Sequence, residues 1–151
     1  MVRGYNVMRG YWDEPEQTAQ TITAEGWLHT GDIGVMNEQG YLQITDRKKD
    51  MFIVGGFNAY PAEIENLLLK HEALSQAAVI GVPDERLGEV GEAFVVLKGD
   101  AQITSEELYD YSREHMANFK VPRKFHVVDA LPMNASGKVQ KFILRERARE
   151  A

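Results

Sequence analysis

The stretch DRKKDMFIVGGFNAYPAEIENLLLKHEAL, residues 46–74, changes character several times along its length. Asp46-Arg47-Lys48-Lys49-Asp50 carries charge without any apolar period, which reads as a solvated linker and marks a domain boundary. MFIVGG, 51–56, is a short strand ending in Gly55-Gly56. Pro61 then opens a helix over 61–74, with Ile64, Leu67 and Leu68 at i, i+3 and i+4. Farther on, QAAVIGV (76–82), AFVVLK (93–98) and KFHVVDA (124–130) are strands rich in β-branched residues. TSEELYDYSREHMANF (104–119) is a helix opened by a Thr104…Glu107 capping box. A last helix is expected from about Val139, burying Phe142 and Ile143. The pattern predicts an α+β domain, a small mixed sheet flanked by about three helices.

Upstream of residue 46 the chain reads as short strands and turns. GWLHTGDIGVMNEQGYLQIT, 26–45, contains a hairpin that joins Val35-Met36 to Tyr41-Leu42 through Asn37-Glu38-Gln39-Gly40. A short helical segment opens around residues 13–18, with Pro15 tolerated in its first turn. Tyr5, Val7, Met8, Tyr11 and Trp12 have the look of interior sheet residues lacking partners. The expectation is that Met1 was added to a cut made inside a larger protein. Exposed strand edges in residues 1–45 could then pair between chains. The expected organisation is 1–45, 46–49 as a hinge linker, and 50–151.

Composition narrows the function. The chain has 151 residues, 44% hydrophobic and 26% charged, as in soluble globular proteins. A formal net charge of −6 argues against nucleic acid, which selects a basic face. Without cysteine there is no disulfide, thiolate metal site or cysteine nucleophile. The longest strongly apolar run, 77–82, is too short to span a bilayer, and residues 1–17 lack the apolar core of a signal peptide. A cytoplasmic location is expected, compatible with peripheral membrane association.

Several residues invite a chemical reading. Gly137-Lys138 in MNASGKVQK (133–141) resembles the end of a phosphate-binding loop, but the G-x-x-x-x-G-K-[ST] spacing fails: residue 132 is Pro and residue 139 is Val. Lys138 is therefore either a solvated lysine or a charge delivered to a phosphate by a small, flexible run. Asp32, in Thr30-Gly31-Asp32, is either part of a plain turn or an acceptor for a ribose diol. Gly55-Gly56 is either a strand-ending turn or a place where an extended ligand passes close to backbone. Glu63 and Glu65, two apart on a helix, do not face each other and read as solvent-facing. The four histidines show no ligand spacing, so no metal site is assigned. Ser136 has no evident base beside it.

Taken in order, GYWDEPEQT, GWLHTGDIG, GYLQITDRKKDMFIVGGFNAYPAEIE and LPMNASGKVQK resemble successive motifs of the AMP-forming acyl-CoA ligases. These belong to the adenylate-forming superfamily, with luciferases and peptide-synthetase adenylation domains. The resemblance covers almost the whole chain. It implies that residues 1–45 are the last strands of a large N-terminal domain and residues 50–151 a small, mobile C-terminal lid. The partner of this chain would be its own missing N-terminal domain.

The resemblance further implies an enzyme that joins a small-molecule carboxylate to ATP and passes the acyl group from AMP to coenzyme A, fatty or related hydrophobic acids being favoured. The chain alone is expected to be inactive. Asp32 matches the family's ribose-binding aspartate, Arg47 its nucleotide-contacting arginine, and Lys138 the lysine of the first half-reaction. Lys49 falls on the hinge position, where many relatives carry aspartate. Gly55 and Gly56 would border the pantetheine channel. Phe119, Lys120 and Arg123 match a region that contacts the coenzyme A nucleotide in some relatives, or else form a solvated basic turn. Mg²⁺ would be held mainly by phosphates and the absent domain. Two alternatives stay open: an adenylating domain with a carrier-protein thiol or other acceptor, and a non-catalytic binding module.

Overall fold

The computed structural model describes residues 1–150, with the side chain of Glu150 left aside. The chain divides into two compact units, Met1–Lys49 and Asp50–Ala151.

In the first unit, α1 (Pro15–Thr21) begins with its proline at the first helical position, where the missing N–H is no loss. Strands β1 (Asp32–Met36) and β2 (Leu42–Arg47) form the expected antiparallel hairpin. The Asn37 side chain fastens its turn, its Oδ1 accepting from the Gln39 and Tyr41 amides. A register shift after Ile33 leaves Thr45 as the extra residue opposite, a β-bulge. Two segments differ from expectation here. No strand forms around Tyr5 and Trp12, because the segment is a series of turns tied to the unit through the Val2–Leu28 bridge, and both side chains are almost fully exposed, as residues without partners are. Asp46 and Arg47, read as linker, complete β2: strand pairing with Ile33 and Asp32 makes up for their lack of apolar period.

The second unit is α+β, as expected. Its sheet comprises β3 (Phe52–Val54), β4 (Phe57–Ala59), β5 (Leu74–Asp84), β6 (Gly88–Leu97) and β7 (Lys124–Val127). The order is β4-β3-β6-β5, and β7 runs parallel to β6 while every other pair is antiparallel. The helices are α2 (Pro61–Leu68), α3 (Ser105–His115) and α4 (Lys141–Glu150). Alternation along β5 and β6 sends Val79, Ala93 and Val95 to one side, where Ile64, Leu68 and Leu108 of α2 and α3 meet them. Ala78, Ile80 and Phe94 go to the other side, against Leu131 and Leu144 of α4.

The capping box of α3 is present in full: Glu107 N–H donates to Thr104 Oγ1 at 3.1 Å, and Thr104 N–H to Glu107 Oε2 at 2.8 Å. Two helix boundaries differ from expectation. The predicted 61–74 helix stops at Leu68, because Leu74 is drawn into β5 opposite Leu97. The last helix starts at Lys141, and Leu144 is its fully buried residue. Ile143 is partly buried and Phe142 is 55% exposed, so the helix is rotated relative to the expected face.

Candidate functional site

Lys138 sits on a turn that is more ordered than its composition predicts. Met133 and Val139 form an isolated antiparallel bridge. Inside it, Asn134 N–H donates to the Lys138 carbonyl at 2.9 Å, and Gly137 N–H to the Asn134 carbonyl at 2.9 Å. The Asn134 carboxamide oxygen accepts from Ser136 N–H (3.1 Å), Ser136 Oγ–H (2.8 Å) and Lys138 N–H (2.9 Å). Gly137 adopts φ +76°, a left-handed conformation costly for a residue with Cβ. The expected flexible run is thus a closed loop with Lys138 exposed beside its tip. Among the described residues, no carboxylate pairs with its ammonium.

Gly55 and Gly56 form the two-residue turn between β3 and β4, at φ +56° and +89°. Positive φ at both positions marks the hairpin turn whose twist matches the flanking strands. Gly55 N–H donates to the Leu87 carbonyl at 2.8 Å, and a Cβ on Gly56 would meet nothing within 4 Å. Beside the turn lies a hollow of about 250 Å³ whose lining includes Gly55, Phe57, Arg86, Phe119 and Arg123. The Phe57 and Phe119 rings stack with centroids 5.1 Å apart.

Of the expected basic-aromatic cluster, Phe119 and Arg123 share this hollow with Gly55. Lys120 turns elsewhere: its ammonium pairs with Glu63 at 2.5 Å, 5.5 Å from the centre of the Phe119 ring. Arg86 takes the second cationic place, and the sequence reading missed it. Its signal was the PDER turn, since Asp84 Oδ1 accepts from the Arg86 and Leu87 amides and fixes the backbone there. Those two bonds, the Leu87 one foremost, hold the Asp84 carboxyl below the usual carboxylate range.

In the first unit, Asp32 and Arg47 are register partners on β1 and β2, with Arg47 Nε 3.6 Å from Asp32 Oδ1. Lys48 N–H donates to the Gly31 carbonyl at 2.8 Å. Thr30, Gly31, Arg47, Lys48 and Lys49 line an open hollow of about 520 Å³. Lys49 is the last residue of this unit. One guanidinium and two lysines around one opening, with the Asp32 carboxylate paired to that guanidinium, can bind a polyhydroxylated anion. Among the described residues, no three His, Asp or Glu side chains converge as cation ligands.

Two carboxylates read or passed over as surface residues are built into the second unit. Glu65 accepts from Val79 N–H and pairs with Lys141. Glu92 on β6 is 5% exposed and pairs with His126 on β7 at 2.8 Å. Neither pairing shows in the periodicity of its own segment, because both partners come from distant elements.

An α+β unit that presents a lysine on a closed loop and a double-glycine hairpin beside a cationic hollow is the arrangement expected of the C-terminal domain of adenylate-forming enzymes. Comparison with known families agrees. Residues 63–138 match the model of the AMP-binding enzyme C-terminal domain, and the chain belongs to that family. It is 57% identical over 146 residues, 97% of its length, to a 3-[(3aS,4S,7aS)-7a-methyl-1,5-dioxo-octahydro-1H-inden-4-yl]propanoyl:CoA ligase of Rhodococcus jostii. It is 46% identical over 150 residues to a long-chain-fatty-acid–CoA ligase of Bacillus subtilis. The chain spans only 28% and 27% of those relatives' lengths. The ATP-bound structure of MatB from Rhodopseudomonas palustris superposes with a TM-score of 0.91 at 41% identity, over 98% of this chain and 29% of that one. The chain therefore corresponds to a part of these relatives that includes their AMP-binding enzyme C-terminal domain.

Proposed function

We propose that the protein carrying this chain is an ATP-dependent, AMP-forming carboxylate–CoA ligase acting on a fatty or related hydrophobic acid. The observation that carries the reading is the exposed, uncompensated Lys138 on its closed loop, in a chain whose relatives are named CoA ligases. In the first half-reaction a substrate carboxylate oxygen attacks the α-phosphorus of ATP. The bond from that phosphorus to the bridging oxygen breaks, and pyrophosphate leaves with the electron pair. Negative charge gathers on the α-phosphate oxygens, where the Lys138 ammonium stabilises it. Asp32 would take the ribose hydroxyls and Arg47 the nucleotide phosphate side.

In the second half-reaction the coenzyme A thiol gives its proton to solvent, its sulfur attacks the acyl carbonyl carbon, and the carbon–oxygen bond to AMP breaks, the electron pair leaving with AMP. Gly55 and Gly56 would leave room for the pantetheine arm. The hollow beside them suits an adenine ring against Phe57 and Phe119, with phosphates on Arg86 and Arg123. Lys120, engaged with Glu63, is the weaker member of the expected set. Lys49, at the boundary between the units, is the proposed hinge about which Lys138 and the Gly55-Gly56 turn exchange places.

The test is pyrophosphate release from the complete protein with a series of carboxylates, with and without coenzyme A. Adenylate formation with no coenzyme A thioester would favour another acceptor, such as a carrier-protein thiol. The 151-residue chain alone is expected to show no turnover in the same assay.

A further inference from the structure

The loop that carries Lys138 is closed by one side chain. Asn134 Oδ1 accepts three hydrogen bonds, two from Ser136 and one from the Lys138 amide itself. The Asn134 main chain adds two more, to Lys138 and Gly137. The base of the loop is fixed independently: Gln140 N–H donates to the Pro132 carbonyl at 2.8 Å, and Lys141 pairs with Glu65 at 2.7 Å. Loss of the Asn134 carboxamide would therefore remove the three bonds that hold Ser136 and the Lys138 amide, leaving the main-chain bonds, the bridge at Met133–Val139 and the start of α4 in place.

We infer that Asn134 is the positioning residue for Lys138, the group whose carboxamide fixes the lysine's backbone so that its ammonium arrives at one defined place. The inference rests on the role proposed above for Lys138. A lysine stem has four rotatable carbons and confers little order on its own charge. Fixing its backbone removes the displacement that a loose loop would add to that of the stem, and displacement of about 1 Å at a reacting centre costs roughly 10²-fold in rate. The acceptor must be a short side chain with an oxygen able to take these local bonds. Asparagine and aspartate satisfy that need, and alanine does not.

The test compares Asn134→Ala, Asn134→Asp and Lys138→Ala in the complete ligase, with the two half-reactions measured separately and cleavage by trypsin after Lys138 measured alongside. For Asn134→Ala, adenylate formation should fall roughly 10²-fold while thioester formation from supplied acyl-adenylate is retained. Cleavage after Lys138 should accelerate while thermal unfolding of the protein is little changed. Asn134→Asp, which keeps the acceptor, should restore slow cleavage and most of the adenylation rate. Equal loss in both half-reactions, or unchanged cleavage in Asn134→Ala, overturns the inference. A loss with Lys138→Ala but none with Asn134→Ala overturns it while sparing the function proposed for Lys138. No loss with Lys138→Ala overturns that function instead, and loop cleavage still reports whether Asn134 orders the turn.

Discussion

Glu65 reaches from α2 to accept the Val79 amide of β5 at 2.8 Å, and the same oxygen lies 2.7 Å from Lys141 at the start of α4. One carboxylate thus satisfies a main-chain donor of the strand at the end of the β4-β3-β6-β5 order and ties together helices that pack on opposite faces of the sheet. The donor would otherwise be left without a partner in a partly buried setting.

Replacing Glu65 by alanine should destabilise the second unit by about 1–3 kcal/mol, the cost of an unsatisfied buried donor together with the lost pair. Glu65→Gln keeps an acceptor for Val79 and should cost less. Urea midpoints for the two variants test the order, and equal losses would assign the whole effect to the Lys141 pair.

Acid should loosen the start of α3. Glu107 is held below the usual carboxylate range, chiefly by the Thr104 N–H and then by the Thr104 hydroxyl. A lowered carboxyl contributes stability above its unfolded value and loses it as pH falls through the folded one. Unfolding temperature should therefore drop below the ordinary carboxylate range, and Glu107→Gln should flatten that acid limb. Thr104→Ala should cost about 1 kcal/mol at neutral pH through the lost cap.

Lys138→Ala in the complete protein should reduce adenylate formation by roughly 10²–10³, the scale of a lost oxyanion donor. Thioester formation from supplied acyl-adenylate should remain. Single-turnover assays of each half-reaction measure the two effects, and equal loss in both would remove the proposed exchange of Lys138 and the Gly55-Gly56 turn.

Arg86→Ala should raise KM for coenzyme A about tenfold, the value of a charge-assisted hydrogen bond to phosphate. Arg123→Ala should behave alike, and Lys120→Ala should change KM little, since its ammonium is committed to Glu63. KM for ATP should stay constant across all three. A rise for Lys120→Ala equal to that for the arginines would move the proposed nucleotide contact away from the hollow.

The sequence by itself determined the elements whose cause is local. The capping box at Thr104 and Glu107, the Asn37–Gly40 hairpin, Pro61 at a helix start and the β-branched strands all act within a few residues of themselves. The linear order of motifs was equally legible, which is why Lys138, Asp32 and the glycine pair could be named. Only the tertiary structure decided what depends on distant partners. Leu74 leaves its helix because Leu97 offers a strand register, and Leu144 rather than Phe142 is buried because the sheet's second face lies on that side. Glu65 was misread for the same reason: its periodicity allows solvent, but Lys141 arrives from elsewhere in the chain. Around Lys138, composition gave small flexible residues, and three hydrogen bonds to one asparagine oxygen turned them into an ordered loop. Periodicity reports which face of an element is apolar, and only packing reports what meets it.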